Sequence, residues 1–320
     1  MVMGRRKVER QEALFVTADD LPKSPGHPFY RALNRLLAEA GFDHWIEERC
    51  RPFYVDSPKG QPSLPPGVYF RMLLVGYYEG IGSQRGIAWR CADSASLREF
   101  LGLALDQSSP DHSTLTNIRK RLPPEVFDEV FTFVLRLAHE KRLLKGKTVG
   151  VDSTTLEADA AMKSIVRRDT GEDWKSYVTG LMRAEGVIAE DEEPTDEDLR
   201  RFDKSRKNKA VSNADWVNPH DPDAQITRMK DGTTHLAYKA EHVVDLDSDL
   251  ILAAEIRPAT EHDSHTLTDS VMQAQQHLRT IDAEHLIEEI AADKGYYSAD
   301  SLEQCQTLHF RTYIPEPKRY

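Results

Sequence analysis

The stretch TVGVDSTTLEA, Thr148–Ala158, has the β-branched composition of a core strand, yet it carries an aspartate, Asp152, where such a strand would place another apolar residue. An acid inside a strand is costly to desolvate unless it pairs, binds a cation or sits at an open strand end. A second run, IEEIAADKGYYS, Ile287–Ser298, repeats the design: apolar residues lead into Asp293, and a Lys-Gly turn follows. Side-chain alternation puts Asp152 and Thr154 on one face of the first strand and Val149, Val151 and Glu157 on the other. The partner of Asp152 must therefore come from elsewhere, and Asp293 is the natural candidate if the two strands are neighbours. Two carboxylates brought close repel each other, and a divalent cation removes that repulsion. An oxygen-only donor set suits magnesium or manganese.

Working outward, HLAYKAEHVVDL and LILAAEIRPA read as strands joined through DLDSD, Asp245–Asp249, in an antiparallel hairpin. Leu267, Val271, Ala274 and Leu278 mark a helix after HDSHT. The strand ending at Asp293, a helix over ADSLEQCQTL and a last strand FRTYIP follow. The order β, β-β, α, β, α, β predicts a mixed sheet with helices packed on it. Between the first two strands lies a polar insertion, about 162–228. Its acidic run EDEEPTDED, Glu190–Asp198, is followed by the basic run RRFDKSRKNK, Arg200–Lys209, and such blocks are expected to be solvated and mobile.

Upstream of Lys147 the pattern is helical. PPGVYFRMLLVGYYEGI, Pro65–Ile81, reads as a buried helix with Pro66 in its first turn. Ser83 is expected to cap the next helix, Ser94 or Ser96 the one after, and Ser113 the helix TLTNIRKRL. Phe127, Val130, Phe131, Val134 and Leu137 share one face of a longer helix, about 124–143.

Composition bounds the function. Hydrophobic residues are 39% and charged residues 30% of the 320, as in a globular chain. No apolar run reaches membrane-spanning length and the N-terminus has no signal-peptide core, so a cytoplasmic address without a membrane partner is expected. Three scattered cysteines suggest neither a disulfide framework nor a thiolate zinc site. The net charge of −11 argues against a surface that grips nucleic acid everywhere and leaves room for local basic patches. The absence of GxxxxGKS and GxGxxG motifs disfavours nucleotide hydrolysis and dinucleotide redox chemistry.

The ordered blocks SSPDHSTLTNIRKRL, VGVDSTTLEA, SIVRRDTGEDW, DPDAQITRMKDGTTHLAYKAEHVVD and AADKGYYS resemble those of the DDE transposases of bacterial insertion sequences, from about Phe29 to the last residue. The resemblance implies an α+β chain: a tail over 1–28, an all-helical DNA-binding domain over 29–145, and an RNase H-like mixed α/β catalytic core over 146–320 that carries the insertion. It implies catalytic, metal-holding roles for Asp152 and Asp293, two magnesium or manganese ions in the complete protein, and metal-dependent cleavage and strand transfer on DNA. The partners implied are transposon-end and target DNA and a second copy in a homodimer, with no small-molecule substrate. The family's third acid, a glutamate on a later helix, has no matching block here. The expectation is a C-terminally truncated core, inactive alone, with Glu316 a poor substitute beside two prolines.

Secondary sites follow. Arg119, Lys120 and Arg121 close a helix that could read transposon ends, and Arg200, Arg201, Lys204, Arg206, Lys207 and Lys209 could contact phosphates. Lys239 lies on the second strand, facing the acids, DNA or solvent. His262 and His265 have HxxH spacing, although Asp263 and Ser264 are better read as caps of the following helix. Two alternatives stay open: a truncated, catalytically inactive transposase that retains DNA binding or dimerisation, and a stand-alone RNase H-like nuclease whose site is completed by Asp263 or Glu241.

Overall fold

The computed structural model describes residues 26–55, 63–104, 106–145, 147–206, 212–281 and 286–317. The chain divides into two compact units, with the division between Phe133 and Val134.

The first unit is helical: α1 (Pro28–Glu39), α2 (Phe42–Cys50), α3 (Pro66–Tyr78), α4 (Gln84–Asp93), α5 (Ala95–Phe100), α6 (His112–Arg121) and the start of α7 (Pro124–Glu140). Helix α3 is apolar on most sides because it is central, with Tyr69, Met72 and Val75 fully buried. Pro66 stands in its first turn, and Ser83 and Ser94 cap α4 and α5 by accepting from Gly86 N and Leu97 N. The expected Ser113 cap is corrected: Asp111 caps α6, its carboxylate accepting from Ser113 N at 2.8 Å. A carboxylate two residues earlier satisfies the orphan amides better than a hydroxyl, because it also complements the helix dipole. The Ser113 hydrogen bonds hold the Asp111 carboxyl down from its ordinary 3.8 to about 2.

The second unit is a mixed sheet. Its strands are β1 (Thr148–Glu157), the short pair β2 (Val166–Arg167) and β3 (Trp216–Val217), β4 (Gln225–Arg228), β5 (Thr234–Asp245), β6 (Ile251–Pro258), β7 (Glu289–Ala292) and β8 (Arg311–Tyr313). The main sheet runs β6-β5-β1-β7-β8, with β4 added to the far end of β5. Strands β5 and β6 are antiparallel to their neighbours, and β7 is parallel to β1 and β8 to β7. Three antiparallel strands continued by two parallel ones is the RNase H-like order expected from the resemblance. Helix α10 (Asp263–Ile281) follows β6 and α11 (Ala299–Thr307) precedes β8.

The core of the sheet lies under α10, where Leu267, Val271, Ala274 and Leu278 meet Val149, Val151, Val243 and Ile290, all essentially without solvent exposure. The β5–β6 turn is closed by buried Asp245, which accepts from Asp247 N at 3.0 Å and Ser248 Oγ at 2.8 Å. The same carboxylate accepts from Lys145 N and so pins the entry to β1. Cys50, Cys91 and Cys305 are buried free thiols, and burial pushes the first two up to about 11. Among the described residues no helix is long and apolar enough to cross a membrane.

The insertion differs from the mobile segment expected. It folds into α8 (Trp174–Ala184), α9 (Asp196–Ser205) and the β2–β3 pair. Aromatic residues scattered among the charges explain this: Trp216, Ile165, Ile226 and Leu236 form one small core with Trp174 and Tyr177 packed on it, and Val178, Met182 and Leu199 form another. The acidic run is partly structural, since Thr195 and Asp198 make a reciprocal capping box at the start of α9.

Candidate active site

Strand β1 changes character along its length. Thr148–Val151 pair with β7, and Val151 faces Ala292 in the last rung. The next residue on each chain is an acid. Asp152 continues β1, and Asp293, still extended at φ −75° and ψ 174°, leaves β7. The two backbones stand at the roughly 4.8 Å spacing of neighbouring strands. The parallel neighbour pairing expected from the sequence is therefore present.

Each carboxylate accepts from a backbone amide just after it. Asp152 Oδ1 accepts from Ser153 N at 2.8 Å, and Asp293 Oδ1 accepts from Gly295 N at 2.7 Å as the cap of a one-turn 3₁₀ segment, Lys294–Tyr296. The second oxygen of each carboxylate makes no hydrogen bond among the described residues. Asp152 points away from α10 into an open groove of about 440 Å³ lined by Gly150, Thr154, His242, Val244 and Leu246 among others. His242 is the cross-strand partner of Asp152 and makes no hydrogen bond or ion pair among the described residues. Sequence reasoning missed it, because its place depends on the β1–β5 register.

Beneath the acids, on the α10 face, lies a second set of charges. Ser153 Oγ donates to Asp263 Oδ1 at 3.0 Å, and Lys239 Nζ donates to the same oxygen at 2.8 Å and to the Glu261 carbonyl at 2.7 Å. Lys239 is only 6% exposed, which corrects its reading as a DNA contact. Its side chain shares the Ser153 face of the sheet, opposite Asp152, and its charge is spent on Asp263. The capping expectation for Asp263 is corrected too: its carboxylate serves Ser153 and Lys239, while His262 Nδ1 accepts from Ser264 at the start of α10.

Glu241 is fully buried and accepts from Thr266 Oγ1 at 2.6 Å, from Ser270 Oγ and from Tyr296 Oη at 3.1 Å. Burial, then the adjacent Glu241 charge, raises the Tyr296 hydroxyl above the ordinary tyrosine range, with Ser153 acting in the opposite direction. Tyr296 is thereby kept as a donor. Among the described residues no three His, Cys, Asp or Glu side chains gather as a metal-binding group, so neither the HxxH pair nor Asp263 or Glu241 completes one with Asp152 and Asp293.

The basic residues fall into two groups. Arg119, Lys120 and Arg121 are exposed in the last turn of α6, Arg121 lying over the Tyr54 ring at 4.6 Å. Arg200 and Lys204 are exposed on α9. Arg201 is engaged by Glu197 and Arg206 by Asp203, which leaves them poorer phosphate ligands than their run suggests. Lys207 and Lys209 lie outside the described residues. Glu316 accepts from Tyr297 Oη at 3.2 Å.

Comparison with known proteins gives two family matches, "Transposase domain (DUF772)" over residues 17–121 and "Transposase DDE domain" over residues 203–319. No curated protein matches. Among solved structures, the "Mos1 transposase paired-end complex with left transposon end" aligns at 10% identity and a TM-score of 0.25, covering 81% of this chain and 61% of that one. The "Mos1 mariner paired end complex with Mn" aligns at 10% identity and a TM-score of 0.23, covering 90% and 78%. The chain thus spans less than two thirds of the first of these.

Proposed function

By its two matched domains the chain belongs to the DDE transposases, and on that premise we propose that it acts on the ends of a transposable DNA element by metal-dependent phosphoryl transfer. The observation that supports this reading is the β1–β7 register, whose last parallel pair, Val151 and Ala292, directly precedes Asp152 and Asp293.

The donor set fits a hard cation. Each carboxylate keeps one oxygen free of hydrogen bonds among the described residues, and magnesium in particular retains several waters and takes few protein ligands. Asp152 and Asp293 would hold the ion, which when bound supplies positive charge for phosphoryl transfer. The chain's own contribution is position: the sheet fixes Asp152 and the capped turn fixes Asp293, so little reorganisation remains at the moment of reaction. The groove beside Asp152 leaves that acid accessible to a large substrate. The exposed Arg119, Lys120, Arg121, Arg200 and Lys204 are the side chains proposed to meet DNA phosphates.

One observation favours a second reading. Since no third acid joins the pair among the described residues, the chain alone would bind DNA, or pair with a second copy, without cutting. A single experiment separates the two. The purified chain is incubated with magnesium or manganese and duplex DNA carrying the ends of its own element. Nicking at the element boundary that is abolished by Asp152→Asn and by Asp293→Asn supports catalysis; boundary-specific binding without nicking supports the second reading. Absence of boundary-specific binding and of nicking refutes both.

A further inference from the structure

Asp293 lies one residue beyond the end of β7 at Ala292. The turn that follows it is anchored in the core by Tyr296. We infer that the buried Glu241–Tyr296 pair is a positioning device that sets where the Asp293 carboxylate stands relative to Asp152, and hence the affinity of the acid pair for a divalent cation. The inference rests on the reading of Asp152 and Asp293 as cation ligands and adds residues on the opposite face of the sheet.

Three observations support it. Tyr296 is 1% exposed and Glu241 0%, and they are bonded at 3.1 Å, so Tyr296 has a fixed anchor. The turn between Tyr296 and Asp293 is closed twice, by Tyr296 N to the Asp293 carbonyl at 3.2 Å and by Gly295 N to Asp293 Oδ1 at 2.7 Å. A displaced ring therefore displaces the carboxylate. Finally, the anchor reaches the other acid's strand: Ser153, immediately after Asp152, is bonded to Asp263, whose other oxygen lies against Gly295.

A fully buried carboxylate is an expensive choice for a core even with a cation nearby. Here it accepts from two α10 hydroxyls and the tyrosine, with Arg257 Nε at 3.9 Å. An apolar side chain would pack this position, but it would leave Tyr296 Oη without its acceptor. Groups that orient metal ligands from behind typically change metal affinity by about 10–100-fold when removed.

The test uses the full chain and manganese alone, with binding read by calorimetry or by the manganese electron paramagnetic resonance signal. Wild type is compared with Tyr296→Phe, which keeps the ring and deletes only the hydroxyl, with Ser153→Ala, and with Leu252→Val as a core control remote from the acids. Thermal unfolding is recorded for each. The expected result is manganese binding weakened about tenfold in Tyr296→Phe, a smaller loss in Ser153→Ala, and none in Leu252→Val even where the melting temperatures fall equally. Manganese affinity within twofold of wild type in Tyr296→Phe overturns the inference; if that variant does not fold, unchanged affinity in Ser153→Ala does so. If wild type binds manganese no better than the Asp152→Asn, Asp293→Asn double variant, the cation reading itself fails, and the inference falls with it by a different route.

Discussion

Replacing Lys239 by methionine separates what the structure says of this residue from what its position in the sequence suggests. The ammonium is 6% exposed and serves one carboxylate and one carbonyl. Methionine keeps the length and apolar stem but leaves Asp263 without its cation and the Glu261 carbonyl without a donor. Breaking a fully buried ion pair from one side costs about 3–5 kcal/mol. Asp263 has a side-chain exposure of 32%, so water takes over part of the lost interaction, and about 2–3 kcal/mol is expected. Urea unfolding of wild type, Lys239→Met, Asp263→Asn and the double variant measures it. The double variant should lose less than the sum of the singles, because the two side chains are in direct contact. DNA binding titrated at several salt concentrations supplies the counter-test, since a lysine that neutralises a phosphate removes about one unit from the salt slope when mutated. A Lys239→Met chain as stable as wild type, with a slope shallower by about one, would refute the burial argument.

Gly295→Ala should perturb the site with little effect on the fold: a β-carbon there would meet Asp293 Oδ1 at 2.9 Å and Asp263 Oδ2 at 3.1 Å, so manganese affinity is expected to fall about tenfold, as for loss of the Tyr296 hydroxyl, in a titration of the folded variant. Asp111, held down to about 2 by its bonds to Ser113, stabilises α6 fully above the ordinary carboxyl range and loses that contribution as pH falls from about 4 towards 2; Asp111→Asn should flatten the acid limb of unfolding monitored by helical circular dichroism, and an unchanged limb would rule the cap out as its source. Trp216→Ala should cost about 3–5 kcal/mol within the insertion, seen as loss of amide-exchange protection in α8 and β4, because Trp216 is 4% exposed at the centre of that small core.

That the strands carrying Asp152 and Asp293 are neighbours was legible in the sequence, because two apolar runs that each lead into an aspartate constrain each other. Element order alone predicted a mixed sheet; the order of its strands, with β1 central and β7 parallel beside it, came from the family resemblance. What the residues did not reveal is which side of β5 faces which side of β1. The long insertion between them hides the register, and a one-residue slip exchanges faces. Lys239 and Glu241 were therefore open to reading as site residues when they lie under α10, and His242, beside Asp152, went unnoticed. The insertion was misjudged because runs of charge dominate its composition, while its fold depends on a few spaced aromatics such as Trp174, Tyr177 and Trp216.

The pairing of β1 with β7 also has a bearing on synthesis. Contacts such as Thr148 with Glu289 join residues 141 apart in the chain, so on the ribosome the first acid emerges long before its neighbour exists. Until β7 is translated, β1 can pair only with β5, and the edge of β1 that carries Val149 and Val151 stays unpaired. Sheets closed by such distant contacts fold slowly and expose sticky edges meanwhile. The same delay means that a nascent or prematurely terminated chain lacking β7 cannot assemble the acid pair. Chain completion through residue 293 is thus a built-in checkpoint: no partial product shorter than this can carry both carboxylates.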